Sequence, residues 1–191
     1  MTDLGSLTFE PEIPARFTIA QFEQLAGTGI FSDSKIELVE GVIVRMSPPL
    51  PTHSLLQSRV FLLLHAIFAG RRSDLAAFVE VGVKFGNATL RAIDVVVATG
   101  VSPGGEYTTP AQVLLAVEIA NSTLSYDLGD KKRDYANAGI PHYWVVDPDK
   151  RVIHVMASPN DGDYANRLKV RFGEPIAVPA TDETITIDDP R

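Results

Sequence analysis

Residues 114–139, LLAVEIANSTLSYDLGDKKRDYANAG, hold the key to this chain. An apolar run of strand length carries one acid, Glu118, passes through the polar turn Asn121-Ser122-Thr123 and leads into a helix that contains Lys131 and Lys132. A carboxylate buried alone in a sheet costs several kcal/mol or takes up a proton, so Glu118 needs a partner. The helix is predicted over about residues 127–138, with Gly139 as its C-terminal cap and Pro141 just beyond, both ordinary stop signals.

Upstream, LRAIDVVVAT (90–99) is a second near-continuous apolar run with a single acid, Asp94. Both runs have the look of central strands covered on two faces. The two-residue period places Asp94 on one face with Ala92 and Val96, and Glu118 with Leu114 and Ala116. If the two strands are neighbours, the carboxylates converge, and two or three oxygens plus waters are the ordinary shell of Mg²⁺. The residues alone leave a second reading open, in which Asp94 pairs with Arg91 and Glu118 caps the polar turn. At 100° per residue Leu124, Leu128, Tyr135 and Ala138 share a stripe of the helix, with Lys131 near its middle and Lys132 well off it. Helical side chains lean toward the N-terminus, which aims Lys131 at the turn after Glu118. The alternative is a lysine whose stem covers apolar surface while its head reaches solvent. Lys132 and Arg133 are expected in solvent.

The flanking sequence supplies the remaining elements. Thr18 and Gln21 have capping-box spacing at the start of TIAQFEQLAGTG (18–29), a short helix ending at Gly27 and Gly29. KIELVEGVIVRMSPP (35–49) reads as a hairpin around Glu40 and Gly41, with Glu40 a turn residue. HSLLQSRVFLLLHAIF (53–68) is a helix capped by Thr52; Leu55, Leu56, Leu62, Leu63, Ile67 and Phe68 predict burial on more than one side. AFVEVGVKFG (77–86) alternates, with Val79, Val81, Val83 and Phe85 on one face. HYWVVD (142–147) and RVIHVMA (151–157) form a hairpin through Pro148 and Asp149, with Trp144 and Tyr143 as core and rim. RLKVRF (167–172) and ETITID (183–188) read as short terminal strands. This order implies a mixed sheet flanked by helices.

The chain of 191 residues is 45% hydrophobic and 21% charged, which suits one domain over 1–191. It has no cysteine, which excludes disulfides and thiolate metal sites. The N-terminal residues lack the basic-then-apolar pattern of a secretion signal, and no apolar run approaches the roughly 18 residues of a membrane span, so a cytoplasmic location is expected. The formal charge of −7 argues against a broadly basic nucleic-acid surface unless positive charge is local or a divalent cation supplies it. Arg71, Arg72, Lys84, Arg91, Lys131, Lys132 and Arg133 are the candidates for one basic face.

ELVEG, MSPP followed by His53 at a helix start, RAIDVVV, and VEIANST through DLGDKKRDYANAGIPHYWVVDPD together resemble the Uma-two family of endonucleases, within the PD-(D/E)XK restriction-endonuclease-like superfamily. The match spans a core of about residues 18–157, and its most specific part is the tail after Glu118. The resemblance implies a restriction-endonuclease-like α/β fold: a four-stranded mixed core between helices, with an extra N-terminal hairpin and C-terminal strands. It implies Mg²⁺ or Mn²⁺ at Asp94 and Glu118, hydrolysis of phosphodiester bonds in nucleic acid, DNA foremost, and a homodimer. Position 120 of the E-x-K half-motif, where the family's lysine belongs, is Ala120 here; Lys131 on the following helix stands where the family commonly carries it instead. Glu37 matches the family's hairpin glutamate, a third ligand or supporting acid, and His53 a histidine frequent at this helix start. Asn-Ser-Thr replaces a more usual Ser-Pro turn, and His142 replaces an acid. Two further readings stand beside this one. The first is a scaffold that has lost catalysis and acts as a binding or interaction protein, with which Ala120 is compatible; the second is a metal-dependent phosphoesterase with another substrate.

Overall fold

The computed structural model describes residues 15–70, 74–101 and 104–188. Helix α1 (Ile19–Gly27) is set by its capping box: the Gln21 N–H donates to the Thr18 hydroxyl at 3.3 Å, and the Thr18 N–H donates to Gln21 Oε1 at 2.9 Å. Strands β1 (Lys35–Val39) and β2 (Val42–Met46) pair through a turn at Glu40 and Gly41, whose φ angles of 49° and 79° are the left-handed pair a two-residue hairpin loop needs. Gly41 also lies so close to the incoming chain that a Cβ there would sit 2.6 Å from Arg16 Cβ.

Helix α2 (Pro51–Phe68) starts earlier than the sequence suggested. Leu50 is its N-cap without a side-chain hydrogen bond, and Pro51 takes the first turn, so Thr52 lies inside the helix and does not cap it. The ring of Pro51 presets a helical φ where the missing N–H costs nothing. Only one stripe of this helix is buried, Leu56, Val60, Leu64 and Phe68, each four residues after the last. Leu55 and Leu62 are 47% and 61% exposed, which corrects the expectation of burial on several sides: α2 lies against one face of the sheet, and a single stripe meets it.

The main sheet contains β1, β2, β3 (Leu75–Phe85), β4 (Thr89–Thr99), β5 (Val113–Ile119), β6 (His142–Asp147), β7 (Val152–Asn160) and β8 (Asp163–Arg171). Its order is β2-β1-β4-β5-β6-β7-β8, with β3 also paired to β4. Every pairing is antiparallel except β5 with β6. That parallel pair needs a crossover, and the decisive segment supplies it as α3 (Leu124–Tyr126), a π-helical turn (Asp127–Lys131) and α4 (Lys132–Asn137). Gly139, with φ 77°, follows the Ala138 cap. Two short strands, β9 (Pro175–Ala177) and β10 (Thr184–Thr186), pair separately. The fold is thus the expected mixed α/β arrangement with helices flanking a sheet, and the sheet is larger than four strands, because the N-terminal hairpin and β8 extend it at its edges.

Each face of the sheet buries its own cluster. The α2 stripe packs on Val95, Val97, Leu115, Val117, Trp144 and Val146. On the other face, Tyr135, Ala136 and Ile140 pack on Val96, Ala116, Tyr143 and Val145. Full burial of each such aliphatic side chain contributes about 1.5–3 kcal/mol. Trp144 and Tyr143 are both core residues, on opposite faces, because β6 is covered on both sides; neither is rim. The regular alternation expected along β3 fails midway. Glu80 has φ 52°, the β3–β4 ladder skips its pairing with Asp94, and Val79 is exposed while Val83 is buried. No helix among the described residues is long and apolar enough to cross a membrane.

Candidate active site

The β4–β5 ladder ends at Val95 and Val117, one residue short of Asp94 and Glu118 on the two strands. Past that point the Ile119 N–H no longer joins the ladder to β4 and instead donates to Asp94 Oδ2 at 2.8 Å. The pleat of β4 also breaks here, since Ile93 packs on the α4 side and Val95 on the α2 side. Asp94 therefore does not share a direction with Val96, as strict alternation predicts. It meets α2, where His53 Nε2 lies 3.1 Å from Asp94 Oδ2 and Gln57 donates to the Asp94 carbonyl at 3.0 Å. Burial pushes the Asp94 carboxyl up, but the His53 contact and the Ile119 N–H outweigh it and hold the group below its ordinary value. Arg91 is not its partner.

Glu118 is 2% exposed and is met from the opposite face by the crossover helix. Lys131 Nζ donates to its Oε2 at 2.9 Å, and the Tyr135 hydroxyl donates to its Oε1 at 2.6 Å. Lys131 is 5% exposed and also pairs with Asp127 Oδ1 at 3.2 Å. Asp127 is held in turn by the Thr123 hydroxyl, donating at 2.7 Å. The buried residues Asp127, Lys131 and Tyr135 lie four apart. Four residues overshoot a 3.6-residue turn by about 40°, and the wider π turn over Asp127–Lys131 winds less per residue and offsets that drift. Burial, with Asp94 and Asp127 nearby, pushes the Glu118 carboxyl up to about 8 despite Lys131. Burial alone would lower the Lys131 pKa; the carboxylates of Glu118, Asp127 and Glu37 hold it above the ordinary lysine value instead.

Glu37 on β1 reaches the same region. Its Oε1 accepts from the Ala92 N–H at 3.1 Å, while its Oε2 is buried without a hydrogen bond among the described residues and faces Arg91 at 3.6 Å. Arg91 is fully buried. It donates to Tyr126 at 2.6 Å and to Asp134 at 2.5 Å, and these bonds outweigh the effect of burial and keep it charged. All five residues singled out from the sequence, Asp94, Glu118, Lys131, Glu37 and His53, border one cleft of about 250 Å³. Asp127, Thr123, Tyr135 and Gln57 complete its support. Asp127 and Tyr135 belong to the stretch that carries the family resemblance but take no site role from the sequence, because a four-residue spacing to Lys131 shows only that they share a helix face.

The single basic face does not form. Arg91 and Lys131 are buried, Lys84 lies 4.0 Å from Glu23, and Arg133 pairs with Asp130 at 2.9 Å. Lys132, expected free in solvent, pairs with Asp163 of β8 at 2.9 Å. Arg71 and Arg72 lie outside the described residues.

Among the described residues no three His, Cys, Asp or Glu side chains form a ready-made metal cage. The donor set nevertheless fits a hard cation. Asp94 and Glu118 bring carboxylate oxygens to one cleft, Glu37 Oε2, ion-paired to Arg91 at 3.6 Å, accepts no hydrogen bond among the described residues, and Mg²⁺ is ordinarily held by one or two carboxylates with retained waters.

The Uma2 family, described as "Putative restriction endonuclease", matches residues 19–188. Among solved structures the chain is similar to a crystal structure described as "a putative nuclease belonging to DUF820 from Anabaena variabilis". The two share 21% identity over 91% of this chain and 97% of that one, with a TM-score of 0.67. At that identity the likeness is one of fold. No curated protein matches the chain.

Proposed function

We propose, from the premise that the chain belongs to the Uma2 family, that it is a divalent-metal-dependent nuclease that hydrolyses phosphodiester bonds in nucleic acid, with DNA as the substrate. The observation that carries this reading is that Asp94 and Glu118, each one residue past the end of the β4–β5 ladder, line one cleft together with Lys131. Asp94 and Glu118 would hold Mg²⁺ or Mn²⁺, with Glu37 as supporting acid. Such an ion, when bound, lowers the pKa of water and offsets charge on a phosphate, which also answers the chain's net charge of −7 at the one place it matters.

The protein's own groups do the rest. His53 and the Ile119 N–H fix the orientation of the Asp94 carboxylate. Tyr135 fixes that of Glu118. Lys131 is the cationic donor that the strand lacks at Ala120. Its ammonium, held between Glu118 and Asp127, is placed to donate to a phosphate oxygen as negative charge develops there. A homodimer in the cytoplasm is part of the same proposal.

The Lys131–Glu118 contact favours one second reading, because an ammonium already balances the buried acid and a binding scaffold needs no metal. Cleavage assays separate the two. Wild-type protein with Mg²⁺ or Mn²⁺ is expected to cut single-stranded, duplex or branched DNA, and Asp94→Ala to abolish cutting while leaving the chain folded. Retained cutting in Asp94→Ala removes that residue from the chemistry, and no cutting of DNA or RNA by wild type supports the scaffold.

A further inference from the structure

A second cleft, of about 350 Å³, lies between the crossover helix and the β7–β8 hairpin, lined by Lys132, Arg167, Lys169 and His154 over Leu128 and Met156. Its charges do not balance. Asp163 accepts both Lys132, at 2.9 Å, and Arg167, at 3.0 Å, so one carboxylate serves two cations. Lys169 is exposed and has no acidic partner among the described residues. Among the described residues the lining thus carries three permanent positive charges, paired with Asp163 alone, while Asp147 acts on His154 without an ion pair to any of the three, in a protein whose formal charge is −7. His154 is half-buried; burial and the neighbouring Lys169 hold its pKa down, and its Nε2 is buried with no hydrogen-bond partner among the described residues. β8 ends the sheet order, so no further strand of the main sheet covers this margin.

We infer that this cleft is a nucleic-acid contact surface, in which Lys132, Arg167 and Lys169 hold the phosphate backbone of a strand away from the catalytic cleft. The inference rests on the nuclease reading and adds to it a substrate track. One helix serves both sites: Lys131 turns inward to Glu118, and Lys132, the next residue, turns outward to the β8 margin. Closely spaced cations that exceed their acids attract a polyanion, and each phosphate they neutralise releases condensed counterions. Lys169 is the informative residue, since its removal strands no acid.

The test is fluorescence anisotropy of the full chain with labelled oligonucleotides, in EDTA, across about 50–200 mM salt. Wild type is expected to bind with a clear salt dependence. Lys169→Gln should weaken binding alike for unrelated sequences and reduce the slope of log K against log salt by about 1, and Lys169→Arg should restore it. Cation calorimetry on Lys169→Gln should match wild type, so a failure of the catalytic reading shows there while a failure of this surface shows in the salt slope. Absence of wild-type binding, or an unchanged slope in Lys169→Gln, overturns the inference and leaves the cations as edge charges that block sheet-to-sheet pairing. Equal binding of polyglutamate, or displacement by inorganic phosphate at the concentration of oligonucleotide phosphate, overturns it as well.

Discussion

Replacing Lys131 by Met separates what this residue does for the fold from what it does for chemistry. Lys131 lies between Glu118 at 2.9 Å and Asp127 at 3.2 Å, and all three side chains are buried. Methionine keeps the volume and removes the charge, leaving the buried Asp127 carboxylate without its cation, while Glu118, already raised to about 8, keeps its proton at neutral pH. Breaking a buried pair from one side costs about 3–5 kcal/mol. At about 2–4 °C per kcal/mol for a chain of this size, the thermal midpoint should fall by about 6–20 °C in EDTA at neutral pH. Adding Asp127→Asn to Lys131→Met removes that stranded charge and should recover part of the loss, while DNA cleavage stays absent because the ammonium is still missing. The assay is a thermal or urea melt of the two variants beside wild type, with cleavage measured on the same preparations. A single variant as stable as wild type, or a double variant that regains cleavage, refutes the reasoning.

Glu118→Gln should change the pH dependence of stability. Its folded pKa, about 8, lies above its ordinary 4.5, so the folded chain retains a proton that the unfolded chain gives up between those values. That contribution is whole below about pH 4.5 and is lost as pH rises through 8, with a slope of at most about 1.4 kcal/mol per pH unit. Urea midpoints in EDTA should therefore decline across this window in wild type and flatten in Glu118→Gln; parallel curves would contradict the assignment. Tyr135→Phe loses the 2.6 Å hydrogen bond to Glu118 and should cost about 1.5–3 kcal/mol in a urea melt, whereas an unchanged midpoint would mean the bond is not made.

Local patterning carried most of the fold. The capping box at Thr18 and Gln21, the turn at Glu40 and Gly41, and the two acid-bearing central strands are each decided by a few neighbouring residues, and they formed where the sequence placed them. The helix face that carries Lys131 was equally legible, because periodicity fixes a face even where the helix widens to a π turn, but the face alone left open whether its ammonium meets Glu118 or reaches solvent. The contacts of Asp94 were not. His53 is 41 residues away along the chain, and no pattern within either segment says that α2 will cross the end of β4. The break in the pleat at Asp94 was hidden for a related reason, since it depends on the left-handed Glu80 in the neighbouring strand. Arg91 was misjudged because its partners, Asp134, Tyr126 and Glu37, come from three other parts of the chain and make burial of a guanidinium tolerable. The leucines of α2 misled because composition records how apolar a helix is, not how much of it a neighbour covers.

Calorimetric titration of Mn²⁺ into the metal-free protein tests the shared role of Asp94 and Glu118 most directly. One binding event at micromolar to low millimolar concentration, lost in both Asp94→Ala and Glu118→Gln, is the predicted result. No heat with wild type, or undiminished binding in both variants, would contradict it.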